Sequence, residues 1–163
     1  MLGFVSTLIN IGADVDARDD DQSTPLHLAG KYKDINVVRT LVHWGADVSA
    51  VDKDGQAVLH FAAEKNNDVS VVKLHVDSGA DVNVRDNKKR TPLHIAAEDN
   101  TSANAITALI EGGADVDARD DDERQDTILE IDQLGINMED NIMSQKRTKK
   151  DDDICSHIFQ SIP

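Results

Sequence analysis

Three histidines, His27, His60 and His94, stand in the near-identical stretches TPLHLAG (24–30), AVLHFAA (57–63) and TPLHIAA (91–97). Imidazole exchanges a proton near neutrality and ligates transition metals, so such an array is the first place to look for chemistry. Acidic runs at 19–21 and 120–123 add carboxylates of the kind that hold calcium. They lack the alternating oxygen ligands and closing glutamate of a calcium loop, and read instead as solvated turns. The chain has no G-x-x-x-x-G-K-S/T phosphate loop, no G-x-S-x-G elbow and no H-E-x-x-H pair. No catalytic residue, cofactor site or metal site is therefore assigned, and the chain reads as not being an enzyme. Cys155 is the single cysteine, which rules out an internal disulfide and a multi-cysteine metal cluster.

Composition narrows the partners. The chain has 163 residues with 17 basic against 31 acidic side chains, a formal charge of −14 that disfavours nucleic acid and anionic membranes. Aromatic residues make up 3%, so a core must be built from Leu, Val, Ile and Ala, which suits thin helical layers. The apolar opening MLGFVSTLINIGA has neither a basic leader nor a small-x-small cleavage site, and no apolar run reaches a membrane span of about 18 residues. The lone cysteine points to an intracellular, cytoplasmic setting. The stretch 146–149, Lys-Arg-Thr-Lys, is a minimal nuclear-import pattern that leaves the nucleus open.

What must position the histidines is a repeat. The tetrapeptide GADV begins at Gly12, Gly45, Gly79 and Gly113, at steps of 33, 34 and 34, and the histidines keep the same phase. In this the chain resembles the ankyrin-repeat family from about residue 3 to residue 124. That family carries Thr-Pro-Leu-His-x-Ala-Ala, an aliphatic second-helix stretch and Gly-Ala-Asp-Val-Asn. The resemblance implies an all-α ankyrin-repeat solenoid, with stacked helix-turn-helix units joined by β-hairpin fingers. It also implies that His27, His60 and His94 tie the finger to the helix start. Stacked units lie about 10 Å apart, so the rings cannot share one ion, whose ligands must come within about 2.1 Å.

The residues agree with that expectation. Thr24 and Thr91 can N-cap helices whose first residues, Pro25 and Pro92, lose nothing by lacking an N–H. In the first full unit GKYKD ends the first helix, INVVRTLVHW makes an amphipathic second one, and Gly45 stops it. The organisation that follows is a partial N-terminal repeat at 1–18, repeats at 19–51, 52–85 and 86–119, a degenerate capping repeat at 120–142 and a disordered charged tail at 143–163. The partial unit puts Phe4, Val5, Leu8 and Ile9 on an apolar edge prone to fray or self-associate. A start inside a repeat suggests a fragment; the poorly matching last unit suggests a natural end.

The second full unit departs most. Ala57-Val58 replaces Thr-Pro, and His75 takes the place of Leu8, Leu41 and Leu109, so this is the expected weakest layer. Units two and three carry one extra residue, placed in the inter-helix turns near 66–67 and 100–101. At the finger tips only Gly55 matches the family glycine. Gln22, Lys89 and Glu123 imply strain or another turn.

The resemblance also implies the function: binding another protein through the concave face made by finger tips and first helices. Carried over by position, the partner-binding residues are Asp20, Asp21, Ser23, Lys31 and Tyr32, then Lys53, Asp54, Gln56, Glu64 and Lys65. The third unit adds Asn87, Lys88, Arg90, Glu98 and Asp99, and the last finger adds Asp121, Asp122 and Arg124. Tyr32, taken as the face's only aromatic, and Arg90 are the expected anchors. The alternative is a small inhibitor or host-directed effector of the I-kappa-B-like viral or intracellular-bacterial type, or a piece of a larger scaffold or toxin. The expected state is a monomer, or weak self-association at the N-terminal edge.

Overall fold

Among the described residues no helix exceeds nine residues, and helices that short are marginal alone, so their stability must come from packing. The computed structural model describes residues 2–32, 34–64, 69–98 and 103–122. The extra inter-helix residues, the expected cap from Glu123 onward and the tail lie outside them. Among the described residues there are seven helices: α1 (Leu2–Asn10), α2 (Pro25–Tyr32), α3 (Ile35–His43), α4 (Val58–Ala63), α5 (Val69–Asp77), α6 (Pro92–Glu98) and α7 (Ala103–Glu111). They pair within layers as α2 with α3, α4 with α5, and α6 with α7. Across layers α2, α4 and α6 stack in one row, and α1, α3, α5 and α7 in the other.

Each row buries its small aliphatic side chains. Leu26, Leu59 and Leu93 follow the helix starts of the first row, while Val38, Leu41, Val71, Val72, Ile106 and Leu109 fill the second. Removing that surface from water is what holds neighbouring layers together. At the exposed end, α1 buries only part of Val5 and Ile9 and leaves Phe4 68% exposed.

The second-row helices all stop in the same way. Gly12, Gly45, Gly79 and Gly113 have φ of 100°, 87°, 86° and 94°, a left-handed C-terminal geometry that suits glycine. The next alanine then closes the turn: Ala13, Ala46, Ala80 and Ala114 donate their N–H to the carbonyls of Leu8, Leu41, His75 and Leu109 at 2.9–3.0 Å. α3 also has a good start, with the Asp34 carboxylate accepting from the Asn36 and Val37 N–H groups. By contrast α4 begins at Ala57 without a side-chain cap and runs for six residues, against eight in α2 and seven in α6.

The fingers are hairpin-like turns. Asp19, Asp52 and Asp86 donate their N–H to the carbonyls of Ser23, Gln56 and Arg90, and one isolated antiparallel bridge joins Val51 and Ala57. The described residues contain no strand. At the tips Gln22 (φ 61°) and Lys89 (φ 58°) adopt the same left-handed turn as Gly55 (φ 74°). The substitutions thus keep the turn and bear its strain, of about 1 kcal/mol each.

Candidate functional site

The histidines are held by bonds that leave no ring nitrogen of His27 or His60 for chemistry. His27 Nδ1 accepts the Thr24 N–H at 3.1 Å, with the Thr24 hydroxyl 2.9 Å away, and Nε2 donates to the Gln56 carbonyl of the next finger at 3.1 Å. His60 repeats this, accepting from the Ala57 N–H and donating to the Arg90 carbonyl, both at 3.1 Å. His94 Nδ1 accepts the Thr91 N–H at 3.2 Å. The first two rings therefore tie their own helix start to the following finger, one link further than the finger-to-helix tie expected. Burial is the main cause that lowers the pKa of both His27 and His60, which favours the neutral tautomer these bonds require.

The aspartates have a similar duty. One carboxylate oxygen of Asp19 accepts from the N–H groups of Asp21 and Ser23 at 3.0 and 2.8 Å. Asp52 does the same for Asp54 and Gln56, and Asp86 for Lys88 and Arg90. Asp120 accepts from Asp122. These four residues recur at steps of 33, 34 and 34, a periodicity equal to that of GADV, which the acidic runs around Asp19 and Asp120 conceal.

Adjacent fingers are stitched by main chain. Lys53, Asn87 and Asp121 donate their N–H to the carbonyls of Asp21, Asp54 and Lys88 at 3.0, 2.9 and 3.1 Å. Side chains reinforce the seam. Arg18 Nη1 donates to the Val51 carbonyl at 2.9 Å, Arg85 Nη1 to that of Arg119 at 2.7 Å, and Asn87 Nδ2 to that of Lys53 at 3.1 Å. Lys53 pairs with Asp21 and Lys89 with Asp121, both at 2.6 Å and both exposed. The first contact lowers the pKa of Asp21 and raises that of Lys53, through the hydrogen bond first and the charge second.

Two clefts open between the fingers and the first-row helices. The first, of ≈ 220 Å³, is lined by Asp21, Ser23, Lys31, Lys53, Asp54 and Gln56 from the expected partner face, together with Asp19, His27, Leu28, Asp52 and Phe61. The second, of ≈ 280 Å³, is lined by Lys88, Arg90, Glu98, Asp121 and Asp122, together with Asp120. Asp20, Tyr32, Glu64 and Asn87 are exposed outside both clefts, with Tyr32 at 75%. Lys65, Asp99 and Arg124 lie outside the described residues.

Two details change the picture of this face. Tyr32 is not its only aromatic, because Phe61 lines the first cleft with its ring edge-to-face on His27 at 5.8 Å and 88°. The signal for it was its place directly after His60, the position that faces back onto the preceding layer. Arg90 is also committed within the chain. Its Nη2 meets the buried Asp86 carboxylate at 2.8 Å, Nε donates to the same oxygen, and Nη1 reaches Glu98 at 3.4 Å.

Layers of paired helices, joined by fingers that each bond to the next, define a repeat solenoid. Family models agree: one for ankyrin repeats in three copies matches residues 59–131, and one for the ankyrin repeat matches residues 21–53. The chain belongs to the ankyrin-repeat family, whose repeats generally mediate protein–protein interaction and are typically non-catalytic. Comparison with curated proteins gives no match. No helix of the described residues is long and apolar enough to cross a membrane.

Proposed function

We propose that the chain binds another protein along the face made by the finger ends and the exposed sides of α2, α4 and α6. The observation that carries this reading is the pair of clefts, whose walls fall on eleven of the expected partner positions. The first mixes a partly apolar floor, Leu28 and Phe61, with charged walls, and exposed Tyr32 stands at its helix. Aromatic side chains that can be desolvated on contact tend to carry interface energy, which makes Tyr32 the anchor of first choice. Arg90 is less free to serve, since its guanidinium already spans Asp86 and Glu98.

The test is affinity purification with the full chain, identification of the captured protein by mass spectrometry, and calorimetric titration of that partner against variants. Tyr32→Ala and Lys88→Glu alter the two ends of the face without touching the finger-holding aspartates. At least one should weaken binding tenfold or more while circular dichroism stays unchanged. If both variants bind as the parent does, the face is wrongly placed. A weak self-association is proposed beside this, on the exposure of Phe4, Leu8 and Ile11 at the α1 edge. Sedimentation at rising concentration reads it, and Phe4→Glu should abolish it.

A further inference from the structure

We propose that His75 makes the second layer an acid-operated break point, at which protonation of one buried ring loosens α5 from its neighbours and interrupts the continuous face. The ring is fully buried in the row where the other layers place Leu8, Leu41 and Leu109. Its Nδ1 donates to the Val71 carbonyl one turn back at 2.8 Å. Its Nε2 is buried and has no hydrogen-bond partner among the described residues. The neutral ring thus tolerates the site with one acceptor unused. The cation would bring a charge and a new N–H donor into the same place, with nothing there to receive either.

The surroundings offer no compensation. α5 packs against α3, α4 and α7. The charged groups on those elements are exposed: Arg39 and His43 on α3, Glu111 on α7, and Lys73 and Asp77 on α5 itself. His60 on α4 is buried but bonded to the Arg90 carbonyl. His27 of α2 is close enough to act on His75 electrostatically, and as a second potential cation it opposes protonation. Burial is the larger cause of a lowered pKa at His75. An opened or unfolded ring takes up its proton from about pH 6.5 downward, whereas the packed ring does not. Stability from this site is therefore full above about pH 6.5. Below it, the closed state loses to the open one by up to tenfold per pH unit, until the packed ring's own lower pKa is reached.

The site is also well placed to matter. α5 bridges α3 and α7 in the second row, and α4, its partner within the layer, is the short helix without a side-chain cap. Opening here breaks the first cleft, whose wall includes Asp52, Lys53, Asp54, Gln56 and Phe61 of the second layer, and separates what remains of it from the second cleft.

The experiment compares urea unfolding of the full chain with that of His75→Leu at pH 7.5 and pH 5.5. Leucine is the residue the other layers use, and His75→Met guards against a poor fit of the branched side chain. His27 and His60 titrate in the same direction and remain in the variants, so only the difference between proteins is informative. The expected result is a variant whose folded-to-unfolded ratio exceeds the parent's by a factor at least fivefold larger at pH 5.5 than at pH 7.5. An equal advantage at both values would overturn the proposal, leaving His75 a packing defect without a switch. Should neither variant fold, hydrogen exchange on the parent decides. Protection over 69–77 lost on acidification ahead of 103–111 supports the break point, and simultaneous or later loss refutes it.

Discussion

The second and third layers share the same frame and differ in what fills it. Both close their second helix with an alanine N–H on the carbonyl five residues back, and both hold their finger with an aspartate. In the third layer, Thr91 stands beside His94 at the start of α6, and Leu109 is fully buried in α7. In the second, Ala57 offers no side-chain cap and His75 occupies the leucine position with an unused nitrogen. The frame is set by main-chain bonds and small-residue markers, so it survives both substitutions. The strength of each layer is set by its filling, and therefore differs between neighbours with the same outline.

The largest expected effect comes from emptying the better-filled layer. Leu109→Ala should cost roughly 2–5 kcal/mol in urea unfolding, the range for a fully buried leucine that leaves a cavity. A loss under 1 kcal/mol would mean that α7 repacks freely and that the two layers do not differ in packing as described. Next come the helix starts. Thr91→Ala should destabilise by about 1 kcal/mol, while Ala57→Thr should recover part of that in the second layer, because the threonine hydroxyl would meet His60 Nδ1 as Thr91 meets His94. If Ala57→Thr is neutral and Thr91→Ala costly, the short α4 owes its length to something other than the missing cap. The smallest effect is expected at the finger surface. Lys53→Gln removes an exposed ion pair to Asp21 but leaves the Lys53 N–H bond in place, so thermal unfolding at physiological salt should barely move. A large drop would show that the seam depends on side chains.

Most of this architecture was legible in the sequence because each unit carries its own punctuation. Proline after threonine starts a helix, glycine before Ala-Asp-Val ends one, and the histidine marks the phase between them. The uncapped start of α4 and the histidine in α5 were legible too, as departures of the second unit from the pattern of its neighbours. The aspartates at 19, 52, 86 and 120 were not read for what they do. At 19 and 120 the carboxylate that holds the finger belongs to the same acidic run as others that face water, and at 52 and 86 the neighbouring residue types do not set it apart. The tips at Gln22 and Lys89 were left between strain and another turn, because the residue types argue against the left-handed geometry that the surrounding bonds impose. The reach of His27 and His60 to the following finger, and of Phe61 to His27, depends on how far apart the layers sit, a quantity that no single unit encodes.

The bonds from finger to finger have one more consequence. Lys53, Asn87 and Asp121 enter them with backbone N–H groups, and Asp21, Asp54 and Lys88 with carbonyls. Any residue with an N–H can fill the donor positions, so proline alone is barred from them on that ground. At Gly55 a side chain would have to push into Asn87, whose Oδ1 lies 2.7 Å from where a Cβ would be. Apart from that glycine and the aspartates that hold each finger, the lettering along the finger ends can be rewritten while the line on which it is written keeps its pitch.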